Sequence, residues 1–483
     1  MDFASYTFIY LFLPFYIISI FFLKKFNLNI RYSLIFFSVV FYVFYSFGFF
    51  VLLLILILIN FFFLKLKKFK FYLLLIIIIN LLPLIFFKYL GFIFDNLSII
   101  FDVNLNNSKL PLPLGISFYT FQIISFQLDN YTKKIDWKFS KFLLYIIFFP
   151  QLISGPIIRS NEFTENIKEK IISNTFSNDF KIATSLIIIG LFKKVVLANN
   201  LQISSEELLG ANDYGILKLF LSSLGYLFYV YFDFSGYSDI ATGLARYAGY
   251  KLPINFNSPL KAKSLIIFWR NWHISLTRFL TDYIFNKIFY RLSSSKYLDK
   301  FTYLNLIISV FTTFALVGLW HGAYLSTLLF GLLNGLGIIF NHIWKLGFEN
   351  RQLNFEKNFI LGYIFNFITI IYVSFTMIFF RFNDLEVINS IFHIEFIWNF
   401  DPLEIMRIIK NHIIILLSLF IVMFFPNILE LFKNDQVYSN IQVKHNQYKY
   451  ISTKYLINFL MPILSIFIFY NLSKQETFIY FMF

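Results

Sequence analysis

Long apolar runs separated by short polar loops set the pattern of this chain. Residues 5–23 are apolar and predict a first membrane helix, with Pro14 as a kink. Residues 32–64 exceed the roughly 20 residues that one crossing needs. Ser46-Phe47-Gly48 offers a break there, so two short helices are predicted. Residues 71–93, with Pro83 inside, predict another span, and 358–380, 410–432 and 455–472 predict three more near the end of the chain. The middle departs from plain hydrophobicity. Pro111 to Gln122 and Phe149 to Arg159 mix prolines and a glycine into apolar sequence, which predicts irregular, re-entrant backbone. Such backbone at membrane depth must be buried in protein or line a wet cavity. Residues 160–180 read as a polar hairpin or surface helix. Residues 181–198 are apolar except for Lys193-Lys194, which are expected to snorkel to a headgroup surface.

Further on, residues 215–250 carry Asp233, Asp239 and Arg246 within an apolar helix, and Asp239, Thr242 and Arg246 fall on one face, with Arg246 the expected partner of Asp239. Residues 264–290 predict an interfacial helix that presents Trp269, Trp272, His273 and Thr277 on one side. The run Leu304 to Leu319, whose side chains are apolar or small and uncharged, ends in Gly318-Leu319-Trp320-His321-Gly322, and a Gly- and Asn-containing helix follows to about Trp344. The pattern divides the chain into N-terminal membrane helices (1–109), a polar-decorated core (110–345) and C-terminal membrane helices (346–483).

Composition sharpens the class. Of 483 residues, 58% are hydrophobic and 14% charged, and the mean hydropathy is +0.70. The expectation is an all-α polytopic membrane protein with roughly 11–14 membrane helices plus re-entrant and interfacial ones. The net charge of +15 has no soluble basic domain to carry it, so no nucleic-acid partner is expected. The basic loops Lys24 to Arg31 and Lys65 to Lys70 mark the cytoplasmic side and put the N-terminus outside. Residues 6–23 lack a basic leader and a small-x-small site, so they read as a membrane helix rather than a cleaved signal. The absence of cysteine excludes disulfides, thiolate nucleophiles, acyl-cysteine chemistry and Cys-type metal sites. No His-x-x-x-His or Glu-x-x-His spacing occurs, so no metal site is expected. No internal repeat is visible, against an inverted-repeat transporter. A flippase or permease would spread its charges along a continuous path, whereas here polarity gathers in the central third.

A histidine at membrane depth is costly. At His321 the residues leave two readings open: a general base acting on a hydroxyl, or a structural imidazole bonded to a neighbouring helix. His273, set between tryptophans, is either functional or an interfacial anchor. Asp233 and Asp239 balance Arg246 or orient a histidine. Arg159 and Arg278 bind a phosphate-bearing donor or anchor in lipid. His342, His393, His412 and His445 receive no role.

Taken in order, several blocks make a recognisable set. They are Leu112-Pro113-Leu114-Gly115-Ile116-Ser117-Phe118-Tyr119-Thr120-Phe121-Gln122, Phe149-Pro150-Gln151-Leu152-Ile153-Ser154-Gly155-Pro156-Ile157-Ile158-Arg159 and Gly190-Leu191-Phe192-Lys193-Lys194-Val195. Next come Asp233-Phe234-Ser235-Gly236-Tyr237-Ser238-Asp239 and Asn255-Phe256-Asn257-Ser258-Pro259. The set closes with Phe268-Trp269-Arg270-Asn271-Trp272-His273-Ile274-Ser275-Leu276 and Gly318-Leu319-Trp320-His321-Gly322. The sequence resembles the membrane-bound O-acyltransferase (MBOAT) family, in its bacterial alginate and peptidoglycan O-acetylation branch, over about residues 110–345. The resemblance implies a ring of helices around a thin centre with a funnel on each side. It implies His321 as the active-site histidine and His273 as the second functional one. Trp320, Asn271, Asp233, Asp239, Arg159 and Arg278 complete the candidate site as substrate-binding residues.

It further implies an acyltransferase of the bacterial inner (cytoplasmic) membrane with no bound cofactor. The acetyl group would pass from a cytosolic thioester, acetyl-CoA, to an envelope polysaccharide. A secreted or membrane-anchored SGNH-type partner would finish the transfer. One stretch departs from the branch. Where its members continue after the Asp282 position into Pro-Leu-Gly-Gly, this chain has Tyr283-Ile284-Phe285-Asn286-Lys287-Ile288-Phe289-Tyr290-Arg291, closer to the teichoic-acid D-alanylation members. The Phe149-Pro150-Gln151 and Ser117-Phe118-Tyr119 blocks, and Phe380 to Leu385 near the end, favour the acetylating branch.

Overall fold

The computed structural model describes residues 1–66, 71–101, 110–131, 137–168, 176–210, 216–349, 359–382, 388, 402–432, 438, 453–472 and 478. The expectations for Lys67 to Lys70, for 169–175 and for Asn383 to Leu385 lie outside the described residues, as do His393 and His445. In chain order the helices are α1 Phe8–Lys25, α2 Ile30–Val43, α3 Phe47–Phe63, α4 Tyr72–Ser98, α5 Ile116–Asn130, α6 Phe139–Ile147, α7 Ser160–Lys168 and α8 Phe176–Leu191. Then follow α9 Asn199–Gly210, α10 Ile216–Tyr247, α11 Leu265–Asn271, α12 Ile274–Leu280, α13 Asn286–Ser293, α14 Thr302–His321, α15 Leu325–Glu349 and α16 Phe359–Arg381. The last are α17 Pro402–Asn411, α18 Ile413–Phe424 and α19 Thr453–Asn471. No strand occurs among the described residues. The chain is an all-α, multi-pass membrane protein.

The break at Ser46 falls where the sequence puts it: Ser46 caps α3 by accepting from the Phe49 N–H at 3.3 Å. Six described helices are long and apolar enough to cross a membrane, or seven if α17 and α18, bent by 65°, make one span. That is fewer than the 11–14 expected. Some apolar helices, such as α2, are short of a full crossing. Others, such as α10, carry buried charges (Asp233, Asp239 and Arg246) in place of a uniformly apolar surface.

The chain forms two compact units, each discontinuous in sequence. The first comprises Met1–Lys194, Gly236–Pro253 and Phe432–Phe483. In it the two irregular segments meet. Gly115 opens α5 in the left-handed region (φ 71°), and a Cβ there would lie 2.5 Å from the Leu152 carbonyl oxygen. Only glycine permits both the angle and the approach. The Tyr42 hydroxyl donates to the Leu114 carbonyl (2.9 Å), and the Phe149 N–H donates to Ser38 Oγ (3.1 Å). These bonds satisfy the irregular backbone internally, as burial demands. Asn60 and Asn80 exchange side-chain amide bonds at 2.9 and 3.0 Å and so tie α3 to α4.

The charged residues of this unit correct two expectations. Asp239 pairs with Lys193 at 2.6 Å, and Arg246 pairs with Asp179 at 2.8 Å. Lys193 and Lys194 therefore turn inward rather than snorkel. Lys194 is fully buried, with Nζ 4.6 Å from the Phe478 ring centre. The physical reason is that a carboxylate buried in an apolar helix needs a counter-charge, and a lysine on a neighbouring helix reaches it better than an arginine two turns along its own.

The second unit comprises Val195–Ser235 and Ile254–Leu431. Its centre is the antiparallel pair α14 and α15, drawn together by glycines. A Cβ on Gly318 would lie 2.2 Å from the Thr327 carbonyl, and one on Gly331 would lie 2.2 Å from the Phe314 carbonyl. Small residues let helices approach this closely inside a membrane.

Candidate active site

The second unit holds both singled-out histidines. His321 is the last residue of α14 and is 5% exposed; His273 is 2% exposed. His273 does not sit within a helix, as the spacing predicts. The helix breaks there: Trp272 is extended (φ −101°, ψ 129°) and His273 is left-handed (φ 44°, ψ 53°). The reason is a partner segment that the local pattern does not reveal. The Asn257 N–H donates to the Asn271 carbonyl (3.1 Å), and the Ile274 N–H donates to the Asn255 carbonyl (2.9 Å). Ser275 Oγ donates to Asn255 Oδ1 at 2.6 Å. The block Asn255 to Asn257 is thus the clamp that holds the break open. Non-glycine residues in the left-handed region are uncommon and cluster at functional sites, where surrounding contacts over-determine them.

Both histidines line one cavity of about 640 Å³, together with Trp269, Trp272 and Thr277. After α12 the chain takes a wide π turn over Thr281–Phe285, which puts Asp282 and Phe285 on the cavity wall. π turns within helices recur at functional sites. Trp320 packs between the imidazoles, its ring 6.1 Å from that of His273 and 4.7 Å from that of His321. Phe234 covers His273 at 4.6 Å, and Phe380 covers His321 at 5.1 Å. His273 lies outside the spanning helices. Its burial first, and the nearby His321 second, hold its pKa well below the ordinary 6.5, so the ring is neutral. A neutral imidazole in a largely apolar cavity can accept a proton from a hydroxyl or donate its own N–H to a developing oxyanion. The apolar walls strengthen either interaction.

The candidate residues divide between the units. His321, His273 and Arg278 line the cavity, and Trp320 backs it. Asn271 ends α11, its carbonyl held by Asn257. Asp233 is fully buried in α10, beside the Phe234 that covers His273. Asp239 and Arg159 belong to the first unit. There Asp239 holds Lys193, and the Arg159 N–H donates to Glu162 Oε2 at 3.3 Å.

Several residues of the site carry no strong local signal. His342 lines the same cavity. Asn334 accepts from the Trp269 indole N–H at 3.3 Å. Asn334, Ile338 and His342 recur every four residues on α15 and so share one face of that helix. Phe380 and Arg381 come from the C-terminal third, which offers no reactive pattern. The Arg381 guanidinium donates to the Ser205 carbonyl and to Ser222 Oγ, both at 3.3 Å, and lies 5.1 Å over the Tyr226 ring.

The profile of MBOAT, the membrane-bound O-acyltransferase family, matches residues 124–382. The peptidoglycan O-acetyltransferase of Helicobacter pylori is 34% identical over 330 residues, which are 62% of this chain and 60% of the relative. The probable alginate O-acetylase of Pseudomonas aeruginosa is 32% identical over 282 residues, 57% of this chain and 52% of the relative. The teichoic acid D-alanyltransferase of Bacillus subtilis is 31% identical over 226 residues, 45% of this chain and 56% of the relative. The chain therefore spans between about half and three fifths of the length of these relatives. With a family profile matched over more than half of its residues, the chain belongs to the membrane-bound O-acyltransferase family.

Proposed function

We propose that this protein is an O-acyltransferase of the bacterial cytoplasmic membrane, multi-pass with its N-terminus outside. In this reading it takes an acetyl group from a cytosolic thioester, acetyl-CoA, for O-acetylation of an envelope polysaccharide. The immediate acceptor hydroxyl belongs to the polysaccharide or to a secreted SGNH-type partner that completes the transfer. The observation that carries the reading is the convergence of His321 and His273 on one cavity, each from a helix end held by other segments. The chain is similar to proteins named for O-acetylation of peptidoglycan and alginate.

The chemistry runs as follows. The acceptor O–H gives its proton to the His321 imidazole as its oxygen attacks the thioester carbonyl. The C–O bond forms, the C–S bond breaks, and the thiolate leaves with the proton that His321 held. His273 orients the acceptor or donates to the oxyanion of the tetrahedral intermediate. One positioned base supplies roughly 10²–10⁴-fold. Holding donor and acceptor together in the cavity supplies the rest. The test is labelled acetyl-CoA with purified protein and envelope fractions: label reaches the envelope material with the wild type and does not with His321→Ala.

The D-alanyl reading is kept because of one stretch. Tyr283 to Arg291 follows Asp282 in place of the acetylating branch's motif, and the Bacillus subtilis relative is named for D-alanyl transfer. Transfer from a D-alanyl carrier protein, with none from acetyl-CoA, is the outcome that selects it.

A further inference from the structure

A second cavity of the same unit, about 380 Å³, is a groove between α16 and α18. Tyr363, Phe367 and Ile370 line it from α16, and Leu416, Phe420 and Phe424 from α18. All of these but Ile370 are exposed. The two helices run antiparallel. Arg381, at the end of α16, donates to the Ser205 carbonyl; Ile415, near the start of α18, meets Gly225, which also lies beside Ser205. From Leu416 to Phe424 the groove follows about 12 Å of helix. Among the described residues, no charged side chain lines its walls. Asn366 does, and its amide donates to the Leu260 and Ala262 carbonyls, both at 2.8 Å.

Those two bonds draw the segment 260–263 across one end of the groove and bring two cations with it. Lys261 Nζ donates to the carbonyl of Phe425, the residue after Phe424, at 3.1 Å. Lys263 lies along Gly362, the residue before Tyr363. A Cβ on Gly362 would stand 2.7 Å from Lys263 Nζ and 2.9 Å from its Cε, so the missing side chain is the seat of the lysine stem. Glu430 accepts from the Asn427 N–H at 2.8 Å, and Asn427 donates to Ser258 Oγ at 2.8 Å. One carboxylate of this region thus stands against two ammonium groups.

A lysine near the end of a span ordinarily snorkels to the headgroups without a fixed seat. Here two ammonium groups are seated, one on a carbonyl and one on a glycine, at the mouth of an apolar groove between two helices apolar enough to span a membrane. Lipid chains are as apolar as the groove, so the head has to supply the preference for one lipid over another. A choline or ethanolamine head would set a third cation beside these two, whereas an anionic head meets them with charge of the opposite sign. We propose that this groove binds one acyl chain of an anionic phospholipid, whose phosphate is held by Lys263 and Lys261. The site shares no residue with the histidine cavity and does not depend on the acyl-transfer reading.

The test is native mass spectrometry of the delipidated full-length protein in detergent, titrated with phosphatidylglycerol, phosphatidylcholine or glycerol phosphate. The variants are Lys263→Ala, Lys263→Arg, Gly362→Ala, Leu416→Trp and Lys345→Ala. Gly362→Ala displaces only the flexible end of the lysine, and Leu416→Trp fills the groove from a lipid-facing position, so both keep the fold; melting without added lipid checks this. Lys345→Ala removes an exposed lysine near the end of another span and is the control for snorkelling.

The expected result is one retained phosphatidylglycerol, bound more tightly than phosphatidylcholine, and no retained glycerol phosphate. Lys263→Ala weakens phosphatidylglycerol about 5-fold, the share of one lysine at a charged headgroup, and leaves phosphatidylcholine unchanged. Gly362→Ala acts in the same direction, Lys263→Arg restores binding, Leu416→Trp weakens both lipids, and Lys345→Ala changes neither. Equal binding of the two lipids by the wild type overturns the proposal, as does an equal loss for Lys263→Ala and Lys345→Ala. So does undiminished binding in Leu416→Trp. A wild-type dimer that retains no lipid and that Leu416→Trp dissociates also overturns it and gives the groove to a second copy of the chain.

Discussion

Gly331→Ala tests whether the position of His321 is set by the contact between α14 and α15. A Cβ at Gly331 would stand 2.2 Å from the Phe314 carbonyl oxygen and 3.0 Å from the Gly318 Cα. Both neighbours are backbone, so no side chain can swing away. An ordinary carbon–oxygen contact is nearer 3.3 Å, so the helices must part by about 1 Å at that level. Overpacking of this kind costs about 1–3 kcal/mol. The gain from replacing glycine by alanine in a helix returns at most about 1 kcal/mol.

The functional effect is the larger one. His321 lies three residues beyond Gly318, the residue that meets Gly331. A misplacement of about 1 Å at a reacting group lowers turnover by roughly 100-fold. Gly347→Ala is the control, since that glycine lies on the same helix with nothing within 4 Å of an added Cβ. The assay pairs thermal unfolding in detergent with acyl-transfer rate. The expected outcome is a lower midpoint and a near-complete loss of turnover for Gly331→Ala, with Gly347→Ala equal to or slightly more stable than wild type. If the two variants behave alike, the close helix contact does not position His321.

Three other predictions follow from particular contacts. Asp239→Asn removes the counter-charge that Lys193 meets at 2.6 Å and lowers stability by about 3 kcal/mol, whereas the double change Lys193→Met with Asp239→Leu recovers most of it; unfolding midpoints of the two decide. His273, held neutral by burial, binds its proton more readily when unfolded. Its contribution to stability is therefore complete above pH 6.5 and is lost as pH falls below that value, and His273→Gln flattens this dependence in a melting series. Arg381 is a positioning residue that anchors the end of α16 and so seats Phe380 against His321. Arg381→Lys, which loses the planar fork, lowers kcat about 10-fold with KM unchanged and shifts the acidic limb of the pH–rate profile.

Much of the architecture is legible because its causes are local. Ser46 ends one apolar run and caps the next, and the helix that ends on His321 is visible as an uncharged, mostly apolar run that stops at a histidine. What escapes the sequence depends on residues far apart in the chain. The break at His273 exists because Asn255 and Asn257 take the amide and carbonyl that a continuous helix would use, and nothing within 264–290 reports it. Asp239 finds Lys193, 46 positions away, instead of Arg246 on its own helix. His342 reads as one polar residue near a helix end until the register of α14 and α15 carries it to the cavity. Phe380 and Arg381 sit at the end of an apolar span, and only the packing of α16 gives them a place near His321.

The central claim is that the paired histidines form an acyl-transfer site. The most direct measurement is label transfer from acetyl-CoA by the purified full-length protein, wild type against His321→Ala, with membrane insertion and CoA binding checked in both. The account predicts label in the acceptor fraction for wild type and none for the variant, with CoA still bound by each. Undiminished transfer by the His321→Ala protein would contradict it.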